Sequence, residues 1–182
     1  MRLFRRNPRR VLVIGLDCAP PHLIFDEFRD DLPTLAHLAD NGTWGTLNSS
    51  VPCITVPAWS SMTSSRDPGT LGFYGFRNRK DYSYDGLTVA AGSAVKHPRI
   101  WDITSAAGRD IIVIGVPQTY PTRPINGHLV SGFLTPGSGS QFTYPAVFKN
   151  EVLQQFPNYA FDAKGFRTDD KAWLQQSIND VT

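Results

Sequence analysis

The sequence predicts an α/β fold with a largely parallel sheet. Two short apolar runs rich in β-branched residues, Val11–Ile14 and Ile111–Ile114, are each followed by a glycine, and stretches with helical patterns lie between them. Apolar runs of this length are typical of central strands in parallel sheets, which are buried on both faces. Strands that alternate with helices along a chain form an α/β architecture.

The size and composition indicate one soluble globular domain. The chain has 182 residues, of which 41% are hydrophobic and 19% are charged, enough for a substantial core. The formal net charge is only +2, and five arginines among the first ten residues supply much of the positive charge. We therefore expect residues 1–10 to form a solvated basic arm and residues 11–182 to form a single domain, with no nucleic-acid binding.

The sequence favours a cytoplasmic protein. No apolar stretch approaches the roughly 20 residues that a membrane-spanning helix needs. The run Val11–Leu16 continues directly into Asp17 without the small-residue cleavage site of a signal peptide. Two cysteines are too few for a disulfide framework, so a reducing compartment is expected.

Asp17 is the first candidate site residue. It comes just after the first apolar run, and therefore at the carboxyl end of a predicted strand. Ligands of open α/β sheets bind at that edge. The alternative is that Asp17 only stabilises a turn or a helix start.

Thr55 is the second candidate. It follows an extended apolar segment and precedes Pro57, Ala58 and Trp59, a pattern typical of a helix start with proline in its first turn. The free N–H groups at such a position attract anions, so a phosphate could bind beside the hydroxyl. The alternative is that Thr55 merely caps the helix.

The polar segment after Phe76 contains Arg77 and Asn78. It is either a solvated loop or a segment whose side chains contact a substrate phosphate, because guanidinium and amide groups donate hydrogen bonds to phosphate oxygens.

The other segments complete the predicted order of elements. Pro117–Pro145 is predicted to be a long ordered loop and a candidate lid over the site, and its Thr135–Ser140 segment lacks the residue order of a P-loop. Thr43–Leu47 alternates like a strand. Helices are predicted at Leu32–Asn41, Trp101–Ala107, Ala146–Phe156 and Asp170–Asp180, and a strand at Ile111–Gly115.

Six blocks, in order along the chain, resemble the alkaline phosphatase superfamily, specifically its type I phosphodiesterase/nucleotide pyrophosphatase family and the related phosphohydrolase/phosphomutase-like proteins. They are Val11–Asp17, Leu32–Gly42, Val51–Phe76, Ile100–Gly108, Val113–Phe133 and Phe142–Pro145. The resemblance implies a three-layer sandwich with a mostly parallel sheet of the alkaline-phosphatase type.

The resemblance also implies a chemistry. It is metal-dependent hydrolysis of a small phosphorylated substrate, a phosphodiester or nucleotide pyrophosphate, through a covalent phospho-threonine. Thr55 would be the nucleophile and a metal contact, and Asp17 a metal ligand, at a site with two divalent ions, zinc being the expected metal. A threonine hydroxyl is protonated at neutral pH, and coordination to a dication would lower its pKa.

The ligand set is incomplete in this sequence. The four histidines match no ligand position of the family, whose other metal ligands lie well downstream of the nucleophile. We therefore expect the chain to be the N-terminal part of such a domain, poorly active or inactive alone. A phosphomutase of the same superfamily and a non-catalytic α/β binding module are the alternatives, and the oligomeric state is not predicted.

Three departures from the family pattern stand out. Cys18 occupies the place of a usual glycine after the metal-binding aspartate, Ser64 and Ser65 stand where Thr-Gly is common, and Leu71 replaces a frequent histidine before Gly72. We expect the exchanges of small residues to be tolerated. We expect the loss of the histidine to alter substrate choice, or the hydrogen bonds around the site, more than the reaction class.

Overall fold

The computed structural model describes residues 10–81, 83–163, 165 and 168–179. It contains two compact units, the first ending at Asn48 and the second beginning at Ser49. Residues 1–9 of the predicted basic arm lie outside the described residues, and the single domain remains a prediction. In the part of the chain that is described, no helix has both the length and the apolar character needed to cross a bilayer.

The first unit is mainly helical. Its elements are a π-helical turn, Leu23–Glu27, and helix α1, Pro33–Asn41. Pro33 opens α1 and Gly42 follows its last residue, which confirms the predicted helix and its stop. The rings of Phe25 and Trp44 stack with centroids 4.4 Å apart, so an aromatic pair links the π-helical turn to the segment after α1.

Two predicted strands of the first unit are wrong. Val11–Ile14 and Thr43–Leu47 have no strand conformation, and Val11 and Leu12 are 85% and 83% exposed. A parallel strand is buried only when neighbouring strands pair with it and helices cover its faces. This unit supplies no strand among its described residues, so the apolar run has nothing to pair with there.

The second unit begins with two helices and a hairpin. They are α2, Thr55–Ser64; α3, Pro68–Leu71; β1, Arg77–Arg79; and β2, Leu87–Val89. The strands β1 and β2 are antiparallel, with Arg77 opposite Val89. The polar segment after Phe76 is therefore a short strand rather than a wholly solvated loop, because cross-strand hydrogen bonds satisfy its backbone.

A three-stranded sheet follows. Its strands and the helices around it are α4, Ile100–Ala106; β3, Ile111–Ile114; β4, Gly127–Val130; β5, Thr143–Tyr144; α5, Phe148–Gln155; and α6, Lys171–Asn179. Strand β4 lies in the middle, parallel to β3 and antiparallel to β5. The predictions of α4, β3, α5 and α6 are confirmed, each within a few residues.

Helices lie on both faces of this sheet. Val113 and Leu129 are paired and pack with Trp101 of α4. Val130, on the opposite face because side chains alternate along a strand, packs with Phe142 and with Val152 of α5. The α/β class is thus confirmed. The sheet is small and mixed, so a three-layer sandwich with a mostly parallel sheet remains a prediction.

In this sheet the sequence missed two strands and overestimated the burial of a third, and in the hairpin it missed β1 and β2. Strands β4 and β5 lie inside Pro117–Pro145, the segment predicted to be one long loop, because strands of four and two residues carry little periodic signal. Ile112 and Ile114 of β3 are 73% and 64% exposed. Strand β3 lies at the edge of the sheet, and Ile111 and Val113 face its covered side, with Ile111 only partly buried.

The packing predicts that two phenylalanines of the second unit contribute very different amounts to the free energy of unfolding. Phe142 is fully buried and stacks on Tyr159, whereas Phe156 is 63% exposed. We expect Phe142→Ala to lower the free energy of unfolding by about 3–5 kcal/mol, through lost burial and a residual cavity. Phe156→Ala is the control, with an expected change within about 0.5 kcal/mol. Urea denaturation measures both, and equal losses would contradict this account of the core.

Candidate active site at the start of helix α2

Helix α2 begins at the predicted nucleophile. Ile54 holds the N-cap position with an extended backbone, φ −115° and ψ 147°, and its carbonyl accepts from the Ala58 N–H at 3.0 Å. Thr55 is the first helical residue and is half-buried. The helix start predicted at Thr55 is therefore confirmed, while the N-cap position itself belongs to Ile54.

The start of α2 has the electrostatic character of an anion site. The first N–H groups of a helix have no partner within the helix, and the helix dipole places partial positive charge there. Helix α2 is ten residues long and carries no acidic residue in its first turn, so no side chain of that turn opposes this charge. A phosphate group beside the Thr55 hydroxyl would meet a favourable field.

One face of α2 is buried in the second unit. Val56, Ser60 and Thr63 are 0%, 5% and 9% exposed, and their spacing places them on one side of the helix. Val56 belongs to a core cluster whose other buried members are Phe73, Ala90 and Val95. The helix that carries Thr55 is therefore held by its inner face, which leaves the helix start partly open to solvent.

Asp17 is exposed, in a turn of the first unit. The Cys18 thiol donates to its Oδ2 at 3.5 Å. The negative charge of Asp17, together with this hydrogen bond, raises the pKa of the Cys18 thiol. Thr55 belongs to the second unit, so the cation that Asp17 and Thr55 are predicted to share remains a prediction.

Arg77 and Asn78 lie on the hairpin. Both are in β1, where Arg77 is exposed and Asn78 is half-buried. Consecutive strand residues point to opposite sides, so the two side chains do not share a face. The Asn78 carbonyl accepts from the Thr88 hydroxyl at 3.3 Å, which ties β1 to β2. Their role as phosphate contacts remains a prediction.

The described residues do not complete a metal site. Across residues 10–81, 83–163, 165 and 168–179, no three side chains from His, Cys, Asp or Glu come together in a group that could hold a metal ion. Zinc sites in proteins use three or four such ligands. Asp17 and Thr55 alone are therefore not a sufficient ligand set.

Two departures from the family pattern fall on unusual backbone. Cys18 has φ 55° and Ser65, the C-cap residue of α2, has φ 54°. This left-handed region is favourable for glycine and costs a residue with a side chain about 1–2 kcal/mol. The usual glycines at both positions thus have a physical reason. Here a cysteine next to Asp17 and a serine at the end of α2 bear that cost.

The sequence reasoning missed a buried polar residue beside α2. Gln118 is only 2% exposed, and its side-chain amide accepts a hydrogen bond from Ser60. The residue lies in the segment predicted to be a long loop, where a lone glutamine gives no signal of burial.

Together, these features define an α/β protein with a half-buried threonine at a helix start suited to anions. A family model for type I phosphodiesterase / nucleotide pyrophosphatase matches residues 11–181, so the chain belongs to that family. No curated protein and no solved structure matches the chain. Family membership assigns phosphodiesterase- or pyrophosphatase-type hydrolysis of a small phosphorylated substrate, a chemistry that is generally metal-dependent.

The left-handed C-cap predicts a stabilising substitution. We expect Ser65→Gly to raise the free energy of unfolding by about 0.5–1 kcal/mol, because the removed side-chain penalty exceeds the added chain entropy of glycine. Ser64→Gly, one residue earlier and inside α2, is the matched control and should lose about 0.5–1 kcal/mol. Thermal and urea denaturation measure both changes. The same sign for both variants would contradict the C-cap assignment.

Proposed function

We propose that this chain hydrolyses phosphoric esters, either phosphodiesters or nucleotide pyrophosphates, through a covalent phospho-threonine at Thr55. The observation that carries the proposal is a half-buried threonine at the first position of a ten-residue helix, in a chain that belongs to a phosphodiesterase family. The helix start brings an anion-favouring field to the same place as a hydroxyl nucleophile.

The reaction takes place in two displacements. The Thr55 hydroxyl oxygen attacks phosphorus, its bond to phosphorus forms, the bond to the leaving oxygen breaks, and the hydroxyl proton passes through solvent to the leaving group. Water then attacks phosphorus, the bond between phosphorus and the Thr55 oxygen breaks, a phosphate monoester is released, and the Thr55 oxygen regains a proton from the attacking water. Covalent catalysis of this kind replaces one difficult step with two easier ones.

The charge on the transferred group needs hydrogen-bond donors. N–H groups at the start of α2 supply some of them. We assign further contacts to Asn78 and Arg77 of β1, since an amide donor and a guanidinium fork both suit phosphate oxygens. Because the two side chains point to opposite sides of β1, we assign the direct contact to the half-buried Asn78 and a contact around the strand edge to the longer, exposed side chain of Arg77.

We propose that this chain, like its family in general, needs metal ions for the reaction. We expect two divalent ions, with zinc as the metal and with Asp17 and Thr55 among the ligands. Because the described residues hold no group of three metal-ligating side chains, the rate expected for these 182 residues alone is low. A cytoplasmic location is part of the same proposal.

A non-catalytic α/β binding module is the second candidate function. One observation favours it: within the described ranges, no three metal-ligating side chains come together. Elemental analysis separates the two candidates, because an enzyme of the proposed kind binds zinc whereas a module without the site does not. A phosphomutase of the same superfamily would form the same phospho-threonine but pass the phosphate to a second substrate hydroxyl.

Replacement of the nucleophile tests the proposed reaction. We expect Thr55→Ala to reduce turnover of a nitrophenyl phosphodiester, with zinc in excess, to the uncatalysed rate, and Thr55→Ser to retain part of it. Nucleophile replacements in enzymes commonly cost on the order of 10³-fold or more. Thr70→Ala, at an exposed threonine of α3, is the control. Turnover by Thr55→Ala equal to a wild-type rate above background, or no phosphorylated Thr55 peptide in quenched wild-type reactions, would contradict the proposal.

Replacement of Asp17 tests the metal assignment without an activity assay. We expect Asp17→Asn to weaken zinc binding about tenfold or more, a loss of the size seen even for residues that only support metal ligands. Asp26→Asn, also exposed in the first unit, is the control with unchanged affinity. Isothermal titration with zinc measures both. Equal affinities for wild type and Asp17→Asn would remove Asp17 from the ligand set.

A further inference from the structure

Gln118 has an unusual combination of burial and backbone conformation. It follows β3, is 2% exposed and has φ 59°. Among residues with side chains, asparagine, aspartate and histidine are the ones enriched in this left-handed region. A glutamine is held there only where its surroundings impose the conformation, and such positions cluster at functional sites.

Three hydrogen bonds hold Gln118 in place. Its side-chain Oε1 accepts from the Ser60 hydroxyl of α2, and its Nε2 donates to the Ala90 carbonyl, just after β2, at 2.7 Å. Its main-chain carbonyl accepts from Nη1 of Arg99 at 2.9 Å, and Arg99 is the N-cap residue of α4. One residue therefore ties together α2, the end of the hairpin and the start of α4.

The bond to Ser60 restrains α2 in a way that the apolar contacts do not. Burial of Val56 keeps α2 on the core, but apolar contact is non-directional and tolerates rotation and sliding of the helix. A hydrogen bond requires a narrow range of distance and angle. Ser60 and Gln118 are both almost fully buried, so water cannot easily replace either partner of this bond.

The position of Ser60 on the helix connects this restraint to Thr55. Ser60 is five residues after Thr55, which corresponds to about 7.5 Å along the axis and about 140° around it. The bond therefore holds α2 on the side turned away from Thr55. A small rotation or shift at Ser60 would move the Thr55 hydroxyl, and misplacement of a reacting group by about 1 Å can cost 10²-fold in rate.

We propose that Gln118 is a positioning residue, which fixes the rotation and axial position of α2 through Ser60 and thereby sets the place of the Thr55 hydroxyl. This inference rests on the proposed function for its catalytic meaning. The restraint on α2 itself does not depend on that function and can be measured separately.

Four variants test the proposal. Ser60→Ala and Gln118→Leu remove the bond, and Ser60→Thr retains the hydroxyl as the conservative rescue. Thr119→Val is the matched control, because Thr119 is 1% exposed and its hydroxyl bonds the Val116 carbonyl and the Gly132 N–H. That control removes buried hydrogen bonds within the same segment, and neither of these bonds is made to α2.

Hydrogen exchange of the α2 amides is the first measurement. We expect amides 58–62 to exchange about 10–100-fold faster in Ser60→Ala and Gln118→Leu, because the helix opens locally more often. Ser60→Thr and Thr119→Val should match wild type in that segment. Exchange rates in Ser60→Ala and Gln118→Leu equal to wild type would overturn the proposal, and if Gln118→Leu fails to fold, Ser60→Ala decides alone.

Steady-state kinetics on a nitrophenyl phosphodiester is the second measurement. We expect kcat to fall about tenfold in Ser60→Ala with KM within about twofold, since a misplaced nucleophile impairs the transition state more than substrate binding. Faster exchange with an unchanged kcat would overturn the positioning role. If wild type and Thr55→Ala turn over equally while exchange responds as expected, the proposed function fails and the restraint of α2 by Gln118 stands.

Discussion

The candidate site depends on how α2 is held against the core of the second unit. Val56 is fully buried, and Ser60 and Thr63 lie on the same face of the helix. This face supplies both the apolar contact and the hydrogen bond to Gln118, whereas Thr55 at the head of the helix stays half-exposed. The same packing therefore stabilises the unit and leaves Thr55, the candidate nucleophile, only half-buried.

Left-handed backbone recurs beside the residues that have proposed roles. Cys18 follows Asp17, Ser65 ends α2, and Gln118 bonds to α2, each with φ between 54° and 59°. Each is a residue with a side chain in a region that favours glycine. Strain of this kind persists only where the surrounding structure imposes the conformation. At Gln118 the three hydrogen bonds of the residue hold the backbone in this conformation.

Phosphoryl transfer demands more charge stabilisation than one hydroxyl provides. The start of α2 supplies N–H donors, and Arg77 and Asn78 of β1 lie in the same unit. The carboxylate of Asp17 belongs to the other unit. Family membership gives the reaction class, while the position of each group around phosphorus depends on packing that short motifs do not encode.

Local signals in the sequence determined part of the structure. The helix after Pro33, the helix that begins at Thr55 and the parallel strand at Ile111 follow from proline placement, apolar runs and glycine stops, which act within a few residues. The motif around Thr55 also pointed to the family, because the candidate nucleophile, the proline and the helix start are adjacent in the chain.

Only the tertiary structure decided the rest. Whether Val11–Ile14 is a strand depends on a neighbour to pair with, and strands β4 and β5 exist because β3 and α5 lie beside them. The burial of Gln118 and its bond to Ser60 join residues 58 positions apart. A contact between residues so far apart produces no periodic or local pattern in the sequence. Packing alone therefore determines which polar residue is hydrogen-bonded to α2, the helix that begins with the candidate nucleophile.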